Sequence, residues 1–118
     1  MQYHLNELAE YVYNIAKDVG FHTRTELPIG DMVANIHSEV SELWEAYRKN
    51  ELNYACDKVE KMVELGLHPL TCASEEIADI LIRTLDLAKA MDIDVDKAVQ
   101  VKCEYNKTRP HRNGGKLA

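Results

Sequence analysis

The stretch EEIADILIRTLDLAKAM, residues 75–91, decides the fold class. At about 100° per residue, Ile77, Ile80, Leu81, Thr84, Leu85, Ala88 and Met91 cover well over half of a helical circumference. The polar strip that is left is narrow and holds Glu76, Asp79 and Arg83. A helix apolar over so wide an arc belongs at the centre of a helical assembly. Glu76 and Asp79, three residues apart, share one face of it.

A second stretch, IHSEVSELWEAYR at residues 36–48, repeats the arrangement. Val33, Ile36, Val40, Leu43 and Tyr47 form an apolar stripe, and Glu39 and Glu42 run along its flank at the edge of the core. Two such helices side by side aim four carboxylates at one point. That is a donor set for a hard divalent cation, and hydrated Mg²⁺ suits it, with Mn²⁺ as a substitute.

Helical periodicity governs the rest of the chain as well, and no alternating strand pattern occurs. The reading is all-α, a bundle of about five helices in one domain spanning residues 1–118. A first helix over 2–19 places Leu5, Leu8, Val12, Ile15, Ala16 and Val19 at core spacing and stops at Gly20. Asp31 is expected to cap the second helix, which runs to about residue 50. A third helix is expected over 52–65 through Leu52, Ala55, Cys56, Val59, Met62 and Val63, closed by Gly66. Thr71 or Ser74 caps the fourth, and Asp94 caps a fifth that reaches toward residue 108. On this last helix the stripe begun by Val95, Ala98 and Val99 continues as Lys102, Asn106 and Arg109, so a core face turns polar within a turn. Such a face lines a polar pocket or emerges into water.

Composition narrows the function classes. With 118 residues the chain can bury a real but modest core. No stretch approaches the roughly 20 apolar residues of a membrane span, and the N-terminus, with Glu7 and Glu10, does not read as a secretory signal, so a cytoplasmic location with no membrane partner is expected. Cys56, Cys72 and Cys103 form no C-x-x-C and read as small apolar residues rather than a disulfide framework or zinc site. None of the five histidines follows a Glu by three residues, which removes the di-iron bundle signature. From Lys102 onward five basic residues face one acid, a local charge of +4 that leaves −10 on residues 1–101. An acidic body repels a polyanion, so no stable nucleic-acid binding is expected. A small phosphorylated ligand that brings divalent cations fits better. His37 points away from Glu39, while Glu45 and Asp86 lie opposite their core stripes and read as solvated. Trp44 and Tyr47 read as packing residues before base-stacking ones.

Three segments together resemble a known family, the MazG-like members of the all-alpha nucleoside triphosphate pyrophosphatase superfamily. Residues 36–48 look like its Glu-x-x-Glu helix, 75–87 like its Glu-x-x-Asp helix, and 102–116 are similar to its basic C-terminal motif. One departure is plain: 33 residues separate Glu42 from Glu76, more than the family's usual interval, so the third helix and its linker look like an insertion. The resemblance implies a four-helix core and Mg²⁺-dependent hydrolysis of a nucleoside triphosphate to monophosphate and pyrophosphate. It matches Glu39, Glu42, Glu76 and Asp79 to the metal ligands and Lys102, Asn106 and Arg109, with Lys116, to residues near the phosphates. Glu42, farther from the apolar stripe than Glu39, is the expected water-orienting residue. A homodimer or homotetramer is expected, partly from the resemblance and partly from the broad apolar arc of the fourth helix. Rival readings are a nucleotide-binding or regulatory module without turnover, and a plain helical interaction domain with a basic tail.

Overall fold

The computed structural model describes residues 2–22 and 28–110, and among them every regular element is a helix. In chain order these are α1 (Leu5–Asp18), α2 (Ile29–Arg48), α3 (Val59–Glu64), α4 (Cys72–Ala90) and α5 (Val95–Lys107). None of them is long and apolar enough to cross a membrane.

The helix ends follow from local chemistry. Thr71 caps α4 by accepting from the Ser74 amide at 3.2 Å, and Asp94 caps α5 through the Lys97 amide at 3.1 Å. His4 offers α1 no side-chain cap, and the deficit is met from the far end of the chain: Asp96 Oδ1 accepts from the Leu5 amide at 2.6 Å. In return, Asn6 Oδ1 accepts from the Val95 amide at 2.8 Å, so the N-termini of α1 and α5 cap one another. At the other ends α1, α2, α3 and α4 close alike. Gly20, Asn50, Gly66 and Asp92 take positive φ, and the next amide bonds back to Ala16, Ala46, Met62 and Ala88 respectively.

Helix α4 is central, as its sequence requires: it packs along α1 on one side and α2 on the other, and α1 also touches α5. The four helices that pack are therefore α1, α2, α4 and α5. Ala9 and Val12 of α1 meet Leu85 of α4 in the buried cluster, with Leu5 and Val95 against it. Burying a side chain such as Leu85 stabilises by roughly 1.5–3 kcal/mol.

Several expectations need correction. Helix α2 starts at Ile29, after Pro28, so Asp31 lies in its first turn and is not its cap; a helix tolerates proline just ahead of its first turn because no amide is needed there. The third helix is only Val59–Glu64 and not 52–65. Residues 52–56 spend their backbone groups elsewhere. Cys56 donates to the Leu70 carbonyl at 3.0 Å, while Tyr54 and Leu52 accept from the Cys72 and Ala73 amides at 2.8 and 2.9 Å. Long-range pairing to the start of α4 has overridden helical periodicity here. Helix α5 buries no residue: Val95 and Val99 are half-buried and Ala98 is exposed. The stripe of α2 is also largely open in the single chain, since Val33, Val40 and Tyr47 are exposed and the residues buried on that helix are Met32 and Glu39. Of the cysteines, Cys56 is buried, Cys72 half-buried and Cys103 exposed.

Candidate metal centre

Where α2 faces α4, the structure brings acids together. Glu39, Glu42 and Glu76 each offer an oxygen within 4.8 Å of the others, and so do Glu75, Glu76 and Asp79, with Glu76 common to both groups. The four sequence-predicted carboxylates thus fall in two groups joined through Glu76. Glu75 is the fifth, and it is among the most buried polar groups of the chain together with Glu39. The spacing of four between Glu75 and Asp79 would have shown that they share a face.

Each buried acid is anchored by one cation. Arg83, one turn beyond Asp79 on α4, donates through Nε to Glu39 Oε1 at 2.7 Å, which fixes Glu39 across the helix pair. Lys58, from the segment preceding α3, donates through Nζ to Glu75 Oε1. These anchors use one oxygen each. Glu39 Oε2, Glu75 Oε2 and Glu76 Oε2 are buried and carry no hydrogen-bond partner. An orphaned buried carboxylate oxygen is costly, and a hard cation is a partner that would satisfy it. The donor set fits a divalent ion of the Mg²⁺ type.

The crowding shows in the acidities. Burial, then the charges of Glu42 and Glu39, raise the Glu76 carboxyl from its ordinary 4.5 to about 7. Asp79 is raised by burial first and by Glu39 and Glu75 next, with Lys58 and Arg83 partly offsetting them.

The basic residues are placed differently. Lys102, Asn106 and Arg109 are exposed at the end of α5, whose packing is against α1, and the Lys102 ammonium lies 4.8 Å over the Tyr105 ring. No hydrogen bond or ion pair among the described residues joins them to the carboxylates. Lys116, with Gly114, Gly115 and His111, lies outside the described residues.

Beside the acids a cavity of about 380 Å³ opens between α1, α2 and α4. Asp79 and Arg83 form its inner edge, Met32 and Ile82 part of its apolar wall, and Asn35 and His22 its polar side. Asp86 corrects the sequence reading. His22 Nε2 lies 2.8 Å from Asp86 Oδ1, both side chains are largely buried, and the imidazole stacks on Tyr13 at 4.7 Å. Asp86 is therefore a paired group and not a solvated one. His37 and Glu45 are exposed as expected.

Compared with known proteins, the chain matches no family model, no curated protein and no solved structure.

The raised carboxyls give the metal-free protein a definite pH dependence. Glu76 holds its proton to about pH 7 when folded but only to about 4.5 when unfolded. Between those values the folded state binds more protons, so stability falls as pH rises through that window. In chelator, the melting temperature is expected to drop from pH 5 to pH 7.5, and Glu76→Gln is expected to flatten the profile. Equal slopes for parent and variant would show that Glu76 is not the crowded group.

Proposed function

We propose that the protein is a Mg²⁺-dependent nucleoside triphosphate pyrophosphohydrolase of the MazG-like kind, converting a (d)NTP to the (d)NMP and pyrophosphate. The observation that carries this reading is the convergence of Glu39 and Glu42 from α2 with Glu76 and Asp79 from α4, with buried oxygens left for a cation. Bound Mg²⁺ would neutralise the phosphates and polarise the attacked phosphorus.

The chain's own groups divide the remaining work. Glu39, clamped by Arg83, and Glu76, shared by both acidic groups, set the geometry. Glu42, the exposed member of its group, can reach solvent, orient a water and take its proton. The water oxygen bonds to the α-phosphorus, the bond from that phosphorus to the bridging oxygen breaks, and pyrophosphate leaves with the electron pair. The cavity edged by Asp79 and Arg83 offers apolar wall and polar edge for the nucleoside. Lys102, Asn106 and Arg109 remain the proposed phosphate contacts, as charge-assisted donors.

A homo-oligomer belongs to the same reading. Val33, Val40, Trp44 and Tyr47 of α2 lie exposed along one stripe, and Ile77 and Leu81 of α4 are 50% and 56% exposed. A hollow lined by Val40, Leu43, Trp44, Tyr47, Ala73 and Ile77 joins the two helices. Covering such side chains is worth roughly 1–2 kcal/mol each, and a second copy presents the same face.

Two outcomes are expected. With Mg²⁺ and a panel of triphosphates, the protein releases pyrophosphate, and Glu42→Gln lowers kcat/KM at least ~10²-fold while remaining folded. Release of orthophosphate and nucleoside diphosphate would reject the reaction, and binding without turnover would favour the regulatory module. Secondly, Leu81→Glu shifts the species measured by light scattering to monomer. A parent protein that is already monomeric at micromolar concentration would remove the oligomer.

A further inference from the structure

The cavity between α1, α2 and α4 holds a second carboxylate of α4 besides Asp79. Asp86 lies seven residues further along the helix, so the two share a face and stand about 10 Å apart along its axis. Both line the cavity, Asp79 with Arg83 and Asp86 with His22. That separation is the reach of a nucleoside from its 5′ phosphorus to the outer edge of its base.

The hydrogen bonding of Asp86 is half used. His22 Nε2 lies 2.8 Å from Asp86 Oδ1, and a carboxylate only accepts, so the imidazole carries a proton on Nε2 and donates it there. The imidazole is itself held: it stacks on Tyr13 with centroids 4.7 Å apart and 20° between planes. Its Nδ1 is enclosed by protein without a partner, which makes the ring a support for Asp86 rather than a ligand contact. The Asp86 side chain is 16% exposed, and its second oxygen has no hydrogen-bond partner among the described residues.

The rest of the wall does not discriminate between bases. Val12, Met32 and Ile82 offer hydrocarbon to any flat ring, the Asn35 amide both donates and accepts, and Arg83 has its Nε committed to Glu39. Asp86 accepts and never donates. Cytosine and adenine present an exocyclic amino group to such an oxygen. Uracil and hypoxanthine present a carbonyl at the same position, which would leave a buried charged acceptor facing a lone pair.

We infer that Asp86, positioned by His22, selects triphosphates whose base carries an exocyclic amino group; this rests on the pyrophosphohydrolase reading above and names its substrate class.

Two pairs of triphosphates differ at that one position: dCTP against dUTP, and dATP against dITP. In the parent the amino member of at least one pair is expected to have a kcat/KM higher by roughly 10-fold or more, the scale of one hydrogen bond to a charged group. Asp86→Asn can still accept from His22 while turning an amide donor to the cavity, and is expected to erase or invert that ratio. General damage to the fold or to the metal site lowers both members of a pair alike and leaves the ratio unmoved. His22→Phe keeps a ring on Tyr13, frees the carboxylate and is expected to reduce the ratio; it is the second variant should Asp86→Asn not fold. Equal rates within both pairs, or an unchanged ratio in a folded variant, would overturn the inference and leave the reaction standing. Calorimetry with the four matching monophosphates in chelator separates recognition from turnover. An amino preference in binding that Asp86→Asn abolishes, with no pyrophosphate released from any triphosphate, would reject the reaction and retain the recognition. No binding of any monophosphate at millimolar concentration, together with no turnover, would reject both.

Discussion

Glu39 of α2 and Glu75 of α4 are buried carboxylates in two acidic groups that share Glu76. Burying a carboxylate is unfavourable unless a cation accompanies it, and two facing helices that both bury carboxylates add repulsion to desolvation. Arg83 and Lys58 answer part of that demand, one from α4 itself and one from the segment before α3. The oxygens left unpartnered on Glu39, Glu75 and Glu76 are the remainder. A scaffold holds such a centre only if something else fixes the helices. Here the apolar contact of Ala9 and Val12 with Leu85, together with the mutual capping of α1 and α5 by Asn6 and Asp96, secures α4 independently of the acids.

Much of this was legible in the sequence, and the reasons are particular. Periodicity alone showed that α4 is central, because Leu85 and Ala88 fall within an arc that no single neighbour could cover. The spacing of three within Glu39/Glu42 and Glu76/Asp79 put each pair on one face, and packing of α2 on α4 brought the faces together. Capping chemistry placed the start of α5 at Asp94 and offered Thr71 or Ser74 for α4, of which Thr71 is the cap. What failed depended on contacts distant in sequence. Residues 52–56 carry a helical pattern yet bond to residues 70–73, and Lys58 reaches Glu75 only because of that closure. His22 and Asp86 are 64 residues apart, and nothing in the spacing of either announces the other.

The exposed side of α2 explains a second discrepancy. Wheel geometry assigned Val33, Val40 and Tyr47 to a core, and the single chain leaves them open beside Ile77 and Leu81 of α4. Periodicity reports that a face is to be covered; it does not report by which chain. The hydrophobic demand read from the sequence and the exposure seen in the structure are consistent once a second copy is admitted as the cover. The proposed phosphate contacts belong to the same question, since Lys102, Asn106 and Arg109 are exposed at the end of α5, whose packing is against α1.

If the function proposed above holds, acids from α2 and α4 form one cation site rather than two solvated faces that happen to be near each other. A double-mutant cycle on Mn²⁺ affinity, read by calorimetry with Glu39→Gln and Glu76→Gln, tests it most directly. One shared site predicts that Glu76→Gln weakens Mn²⁺ binding at least ~10-fold, on the order of 1.4 kcal/mol, in the parent and changes little once Glu39 is already Gln. The same loss in both backgrounds would mean that the two helices bind cations independently, and would contradict the account.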